Sequence, residues 1–151
     1  MKEKLLFMHK NVIQLSRMEN CKIIVKSRYG FSAEIELRQG KYKIRIDYYY
    51  KGIVSVYMLA PNIDMSDSVE IHTYGMHFHG AYKKEIPELC LKHPKLDDWN
   101  PSILLIDSYI PWAAEWTEFY EIWLLTGVWY GGGVHPSSGP KKENVNEEKD
   151  R

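Results

Sequence analysis

Phe31-Ser32-Ala33-Glu34-Ile35-Glu36-Leu37-Arg38, turned by Gln39-Gly40 into Lys41-Tyr42-Lys43-Ile44-Arg45-Ile46-Asp47-Tyr48-Tyr49-Tyr50, is the stretch that decides the fold. Both runs alternate apolar and polar residues, which places one apolar face on each of two half-buried strands, and Gln39-Gly40 supplies the tight turn between them. In the second run Tyr42, Ile44, Ile46 and Tyr48 share one face, with Lys43, Arg45 and Asp47 on the other. Working outward, Lys22 to Lys26 is a β-rich run before Arg28-Tyr29-Gly30, and Ile53 to Leu59 is a further strand after Lys51-Gly52. Consecutive strands with short turns predict a four-stranded antiparallel meander. Ala60-Pro61-Asn62 closes it, because proline donates nothing to a ladder. Val69 to Tyr74 reads as a short strand, and Gly75 to Leu89 as irregular chain.

The period changes at both ends. Leu5, Met8, Val12, Leu15 and Met18 recur at three and four residues, so Met1 to Asn20 predicts a helix with one apolar stripe, its lysines on the other side. Asn100-Pro101 has the form of a helix start, and Ser102 to Thr126 a helix that Pro111 kinks or restarts and Gly127 ends. Trp112, Trp116, Phe119, Tyr120 and Trp123 fall on one helical face, a core stripe rather than a cofactor box; Glu115, Glu118 and Glu121 lie off it and are expected in solvent. Trp129-Tyr130-Gly131-Gly132-Gly133 lacks the Lys-Ser/Thr of a phosphate loop. Ser137 to Arg151 is polar and charged, the composition of a disordered tail, so a domain over 1–136 and a tail over 137–151 are expected.

With 44% hydrophobic and 13% aromatic residues, 151 residues suffice for one domain with its own core. No apolar run has the length of a membrane span. The two cysteines do not form a disulfide framework, and a reducing cytoplasm is the expected setting. Twelve Lys and Arg against five Asp and Glu up to Lys51 give way to eight against fifteen beyond it. A basic front half suits an acidic partner or a solvated face; its basic residues alternate along strands, so nucleic acid is not expected as a partner.

The reactive groups concentrate in Glu88-Leu89-Cys90-Leu91-Lys92-His93-Pro94, with His77 and His79 upstream. Cys21 opens a strand and reads as structural. A thiol is a few per cent thiolate at neutral pH, enough to exchange with a positioned thioester. Aminolysis of the product then benefits from an oxyanion donor and a proton acceptor, for which His77, His79, His93, Asp97, Asp98 and Asn100 are the local candidates. Two other readings stay open on residue chemistry alone. Cys90 between two leucines could be a buried small hydrophobe, and His77, His79, Cys90 and His93 could ligate zinc.

The order of elements, together with particular words, resembles the ubiquitin-conjugating enzyme fold, an α+β fold with an N-terminal helix, a meander, a cysteine loop and C-terminal helices. Glu88-Leu89-Cys90-Leu91, His93-Pro94, Trp99-Asn100-Pro101-Ser102, Ile110-Pro111-Trp112, Tyr120-Glu121-Ile122-Trp123, Thr126-Gly127 and Trp129 to Gly133 resemble the bacterial stand-alone ubiquitin-conjugating-like proteins of CBASS antiphage operons. The resemblance runs from about Tyr42 to Pro136. It implies that Cys90 carries the C-terminus of a protein partner, a cGAS-like nucleotidyltransferase, as a thioester and passes it to an amine, without cofactor or metal. It also implies a histidine before the cysteine as proton shuttle or loop organiser, matched by His79 or His77, with Asn100 as oxyanion donor or loop brace. The His-Pro-Asn motif of eukaryotic members is missing. Some relatives are fused to an adenylating domain and a peptidase, for which this chain has no room, so an activating enzyme is expected as a separate protein or not at all. The alternative is a binding module of the same fold that scaffolds a partner without catalysis.

Overall fold

A computed structural model describes residues 1–63, 71–91 and 99–131. Its elements are helix α1 (Lys2–Ser16), strands β1 (Cys21–Lys26), β2 (Gly30–Leu37), β3 (Tyr42–Tyr49), β4 (Ile53–Ala60), β5 (Thr73–His79) and β6 (Lys84–Leu89), a 3-10 turn (Leu105–Asp107) and helix α2 (Tyr109–Thr126). The strands form one antiparallel sheet in the order β1-β2-β3-β4-β6-β5. The architecture is α+β, and its first four strands are the expected meander.

Period-two alternation sorts the sheet into two faces. Phe31, Ala33, Ile35 and Leu37 of β2, Tyr42, Ile44, Ile46 and Tyr48 of β3, and Val56 and Met58 of β4 pack with Met8, Val12 and Leu15 of α1 and with Trp116, Tyr120 and Trp123 of α2. Helical period three-to-four on one side and strand period two on the other meet in a single core. Asn11, 1% exposed, stitches α1 into this core: its side chain donates to Phe7 O at 3.0 Å and accepts from Leu105 N at 2.8 Å.

Three sequence expectations are corrected. Gly75 to Leu89 is not irregular but contains the β5–β6 hairpin, so the strands among the described residues number six. Gly75 serves a bulge between Thr73 and Met76, at φ 96°. Asn100-Pro101 does not start the long helix. The chain makes a turn there and α2 begins at Tyr109, where Pro111 occupies the first turn and its missing N–H has no helical acceptor to serve. A single α-helix therefore follows the cysteine among the described residues, stopped by left-handed Gly127, whose N–H donates to Trp123 O at 2.7 Å. Thirdly, Glu121, its side chain 28% exposed, is ion-paired and not free in solvent. It accepts from Tyr42 Oη at 2.8 Å and pairs with Lys41 at 2.7 Å and Arg38 at 3.3 Å, fastening α2 to the β2–β3 turn. The tail expected over 137–151 lies outside the described residues.

The opposite face of the sheet is polar and is crossed by the hairpin. Glu34, Arg45, Tyr57 and Glu88 stand in cross-strand register, as do Ser32, Asp47 and Ser55. β6 pairs with β4 at Tyr57 and Glu88, and the hairpin runs from there across this face. Its tip lands on β2 and β3: Tyr82 Oη donates to Glu34 and accepts from Arg45 at 3.2 Å, and His79 reaches Asp47 at 3.0 Å.

Candidate active site

Cys90 is the first residue after β6. Its N–H donates to His72 O at 3.0 Å, which extends the hairpin ladder and fixes the thiol at the base of the hairpin. Cys90 is 9% exposed. Tyr74 donates its hydroxyl to the Cys90 sulfur, and Tyr109, the first residue of α2, lies within electrostatic reach of it. Burial pushes the Tyr109 hydroxyl up to about 12, with the sulfur's negative charge adding to it. Tyr74 is raised for the same reasons, burial first and then its hydrogen bond to Cys90. Both hydroxyls stay protonated at neutral pH and can donate.

Tyr109 is held by the Trp99-Asn100-Pro101 segment. Trp99 meets its ring edge to face at 5.1 Å and donates its indole N–H to Ser108 Oγ at 3.1 Å. Pro101 seats on Gly52 in the β3–β4 turn, where a Cβ would come within 2.7 Å of Pro101 Cγ; the site needs glycine for its φ of 96° as well. Asn100 Oδ1 accepts from the backbone N–H of Ser102 at 2.9 Å and from the Ser102 hydroxyl. Those bonds close an Asx turn from Asn100 onto Ser102.

The hairpin register separates the two upstream histidines from the thiol. His77 pairs with Ile86 and His79 with Lys84. At the usual strand rise, His77 stands about 13 Å and His79 about 20 Å along the hairpin from the level of Cys90. A proton relay by direct contact between His79 and Cys90 does not fit this register. The imidazole of His79 works at the other end, where Nε2 faces Asp47 Oδ2, Nδ1 accepts from Ala81 N at 3.3 Å, and the ring meets Tyr57 edge to face at 5.0 Å. Burial opposes ionisation of Asp47, but hydrogen bonds from Arg45, Ser32 and His79 outweigh it and hold the carboxyl below its ordinary range.

His77 comes closer through an intermediary. Its Nε2 faces Tyr74 O at 3.3 Å and Glu88 Oε1 at 3.6 Å, both acceptors, so Nε2 carries the hydrogen and Nδ1 is the basic nitrogen. Glu88, two residues before Cys90, has its carboxyl raised by burial, with His77 and Ser55 pulling it back. Residue reading named Glu88 and His77 but missed Tyr74 and Tyr109 as neighbours of the thiol, since each depends on the hairpin register or on where α2 begins.

His93, Asp97 and Asp98 lie outside the described residues. Among the described residues, no three His, Cys, Asp or Glu side chains converge as a metal site would require. Cys21 is half-buried, and burial pushes its thiol up to about 11, as befits a structural position. Among the described residues no helix is long and apolar enough to cross a membrane.

The described residues thus form an α+β domain of two α-helices and one antiparallel sheet, with a cysteine at the end of a hairpin. The family model of the Type II CBASS E2 protein matches residues 9–136, and the chain belongs to that family of ubiquitin-conjugating-like proteins of CBASS defence. No curated protein matches it.

Proposed function

We propose that this protein is a thioester-transfer enzyme in which Cys90 carries the C-terminus of a CBASS partner, a cGAS-like nucleotidyltransferase, and passes it to an amine. The observation that carries the reading is the placement of Cys90 at the end of β6, beside two protonated tyrosines and two residues from a half-buried carboxylate, in a chain of this family. The thiolate attacks the activated terminal carbonyl of the partner; the new C–S bond forms as the donor's leaving group departs with its electron pair. An amine then attacks the thioester, C–N forms, and the sulfur leaves as thiolate. Glu88, two residues before Cys90 and 3.6 Å from His77, is the acceptor for the proton that the amine sheds. His79 acts as an organiser, holding the hairpin that presents Cys90, and Asn100 as a brace of the loop that seats Tyr109. The exposed lysines of α1 (Lys2, Lys4, Lys10), with Leu6 and Ile13 also exposed, form the docking face for the partner or for a separate activating enzyme.

Cys90→Ser tests the reading by converting a transient thioester into a stable ester with the partner's C-terminus. Accumulated ester, with no conjugate from Cys90→Ala, supports it; full conjugation by Cys90→Ala contradicts it. The low exposure of Cys90 favours a second reading, a scaffold of the same fold that binds the partner without chemistry. Under that reading both variants still bind the partner and neither forms an adduct.

A further inference from the structure

We propose that Tyr74 is a catalytic residue whose hydroxyl hydrogen-bonds the Cys90 sulfur as thiolate and the oxygen of the tetrahedral intermediate during transfer. The inference rests on the thioester-transfer reading of Cys90 and adds to it the group that tunes the nucleophile.

The backbone around Tyr74 is built for this placement. β5 is regular from Met76 to His79, but between Thr73 and Met76 the register shifts, and Gly75 takes a left-handed φ of 96°. Thr73 Oγ1 accepts from Gly75 N at 3.3 Å, closing the bulge on itself. His77 Nε2 meets Tyr74 O at 3.3 Å from the regular part of the strand. Thr73 pairs with Leu89 and Cys90 N bonds His72 O, so alternation puts Tyr74 on the face of Cys90, diagonally across the hairpin from it. The Tyr74 hydroxyl bonds the sulfur while the residue stays 48% exposed, so it spans the half-exposed surface and the 9%-exposed thiol.

The chemistry follows from a donor in that position. Hydrogen bonding to the thiolate favours the charged form and enlarges its share at neutral pH. In loading, an acyl-adenylate or a thioester of the partner's C-terminus supplies the acyl group. The Cys90 thiolate forms the C–S bond, AMP or the donor thiolate departs with its electron pair, and the tyrosine proton stays on its own oxygen throughout. With sulfur acylated, the same hydroxyl has lost its anionic acceptor and turns to the carbonyl oxygen, which gains negative charge when an amine attacks. When C–S breaks, the hydroxyl returns to the departing thiolate.

The test uses the full chain with Cys21→Ala, leaving Cys90 as the only thiol. Iodoacetamide alkylation of Cys90 is followed by intact mass from pH 6 to pH 10.5, alongside acyl transfer from a small peptide aryl thioester to Cys90 and onward to glycinamide. Replacing Tyr74 by Phe, or by O-methyltyrosine should the Phe variant not fold, shifts the alkylation midpoint upward by about half to one pH unit. The rate at pH 7 then falls roughly three- to tenfold, with the high-pH plateau unchanged, and aminolysis falls by about tenfold or more. Coincident profiles for parent and variant, with Cys90 alkylated and acylated in both, overturn the role of Tyr74 alone. A parent that alkylates but never accepts an acyl group overturns the thioester reading and this inference with it.

Discussion

His79 Nε2 stands 3.0 Å from Asp47 Oδ2, which ties the tip of the β5–β6 hairpin to the middle of β3 and makes the hairpin part of the sheet's polar face. The bond belongs to a set. Asp47 also accepts from Arg45 Nε and Ser32 Oγ, both at 2.7 Å, and Tyr82 lies over the Arg45 guanidinium at 5.4 Å. His79→Ala is expected to cost about 1–2 kcal/mol. Asp47→Ala costs about 3 kcal/mol or more, because it leaves the guanidinium of Arg45, 6% exposed, without its carboxylate. Urea melts give both values. Hydrogen exchange should show faster opening confined to residues 77–86 in His79→Ala; a uniform increase across α2 would sink the clasp.

Asn11 is a buried polar residue satisfied on both ends, so its replacement by an isosteric apolar group is costly. Asn11→Leu leaves Leu105 N–H without its acceptor and should destabilise by about 2–3 kcal/mol. A loss under 0.5 kcal/mol in chemical denaturation would show that the α1 junction is not held by this bond.

Glu121 gives the account a pH signature. Hydrogen bonds from Lys41 and Tyr42 lower its carboxyl to about 2. An unfolded glutamate titrates near 4.3, so the stabilisation is fully present above that value and is lost as the pH falls toward about 2. Glu121→Gln should be less stable than the parent by about 0.5–1 kcal/mol at pH 7, a figure kept small because the side chain is 28% exposed. The gap should narrow steadily between pH 4.5 and pH 2.5. A gap that stays constant over that range would argue that packing, not charge, fastens α2 to the β2–β3 turn.

Cys21 should be silent. With its thiol near 11, roughly one part in a thousand is thiolate at pH 8. Iodoacetamide should therefore leave Cys21 unmodified at pH 8 over minutes and label it above pH 10. Fast labelling at pH 8 would contradict the burial that defines it as a structural residue.

What was legible in the sequence was what local periodicity encodes. Alternation from Phe31 to Tyr50 and the stripe from Leu5 to Leu15 translate directly into the meander and α1, because in each the buried face repeats with the element's own period. The hairpin was opaque for the same reason. Met76 and Phe78 are 43% and 66% exposed, while Gly75 and Pro87 occupy a bulge and its partner strand, so no apolar alternation marks β5 and β6. Misreading that segment hid the register, and with it the separation of His79 from Cys90. The words around Trp99, Asn100 and Pro101 pointed to the family, yet their visible work is seating: Pro101 on Gly52, Trp99 on Tyr109. Tyr74 carried no signal, since its place beside Cys90 depends on the β5–β6 pairing.

The central claim is that Cys90 carries an acyl group. The most direct measurement is intact mass spectrometry of the parent protein incubated with the proposed partner, a cGAS-like nucleotidyltransferase, an adenylating enzyme and ATP, before and after hydroxylamine. The account predicts an adduct equal to the partner joined through its C-terminus, mapped to Cys90, discharged by hydroxylamine and missing in Cys90→Ala. An adduct that survives hydroxylamine, maps elsewhere or persists in Cys90→Ala would contradict it.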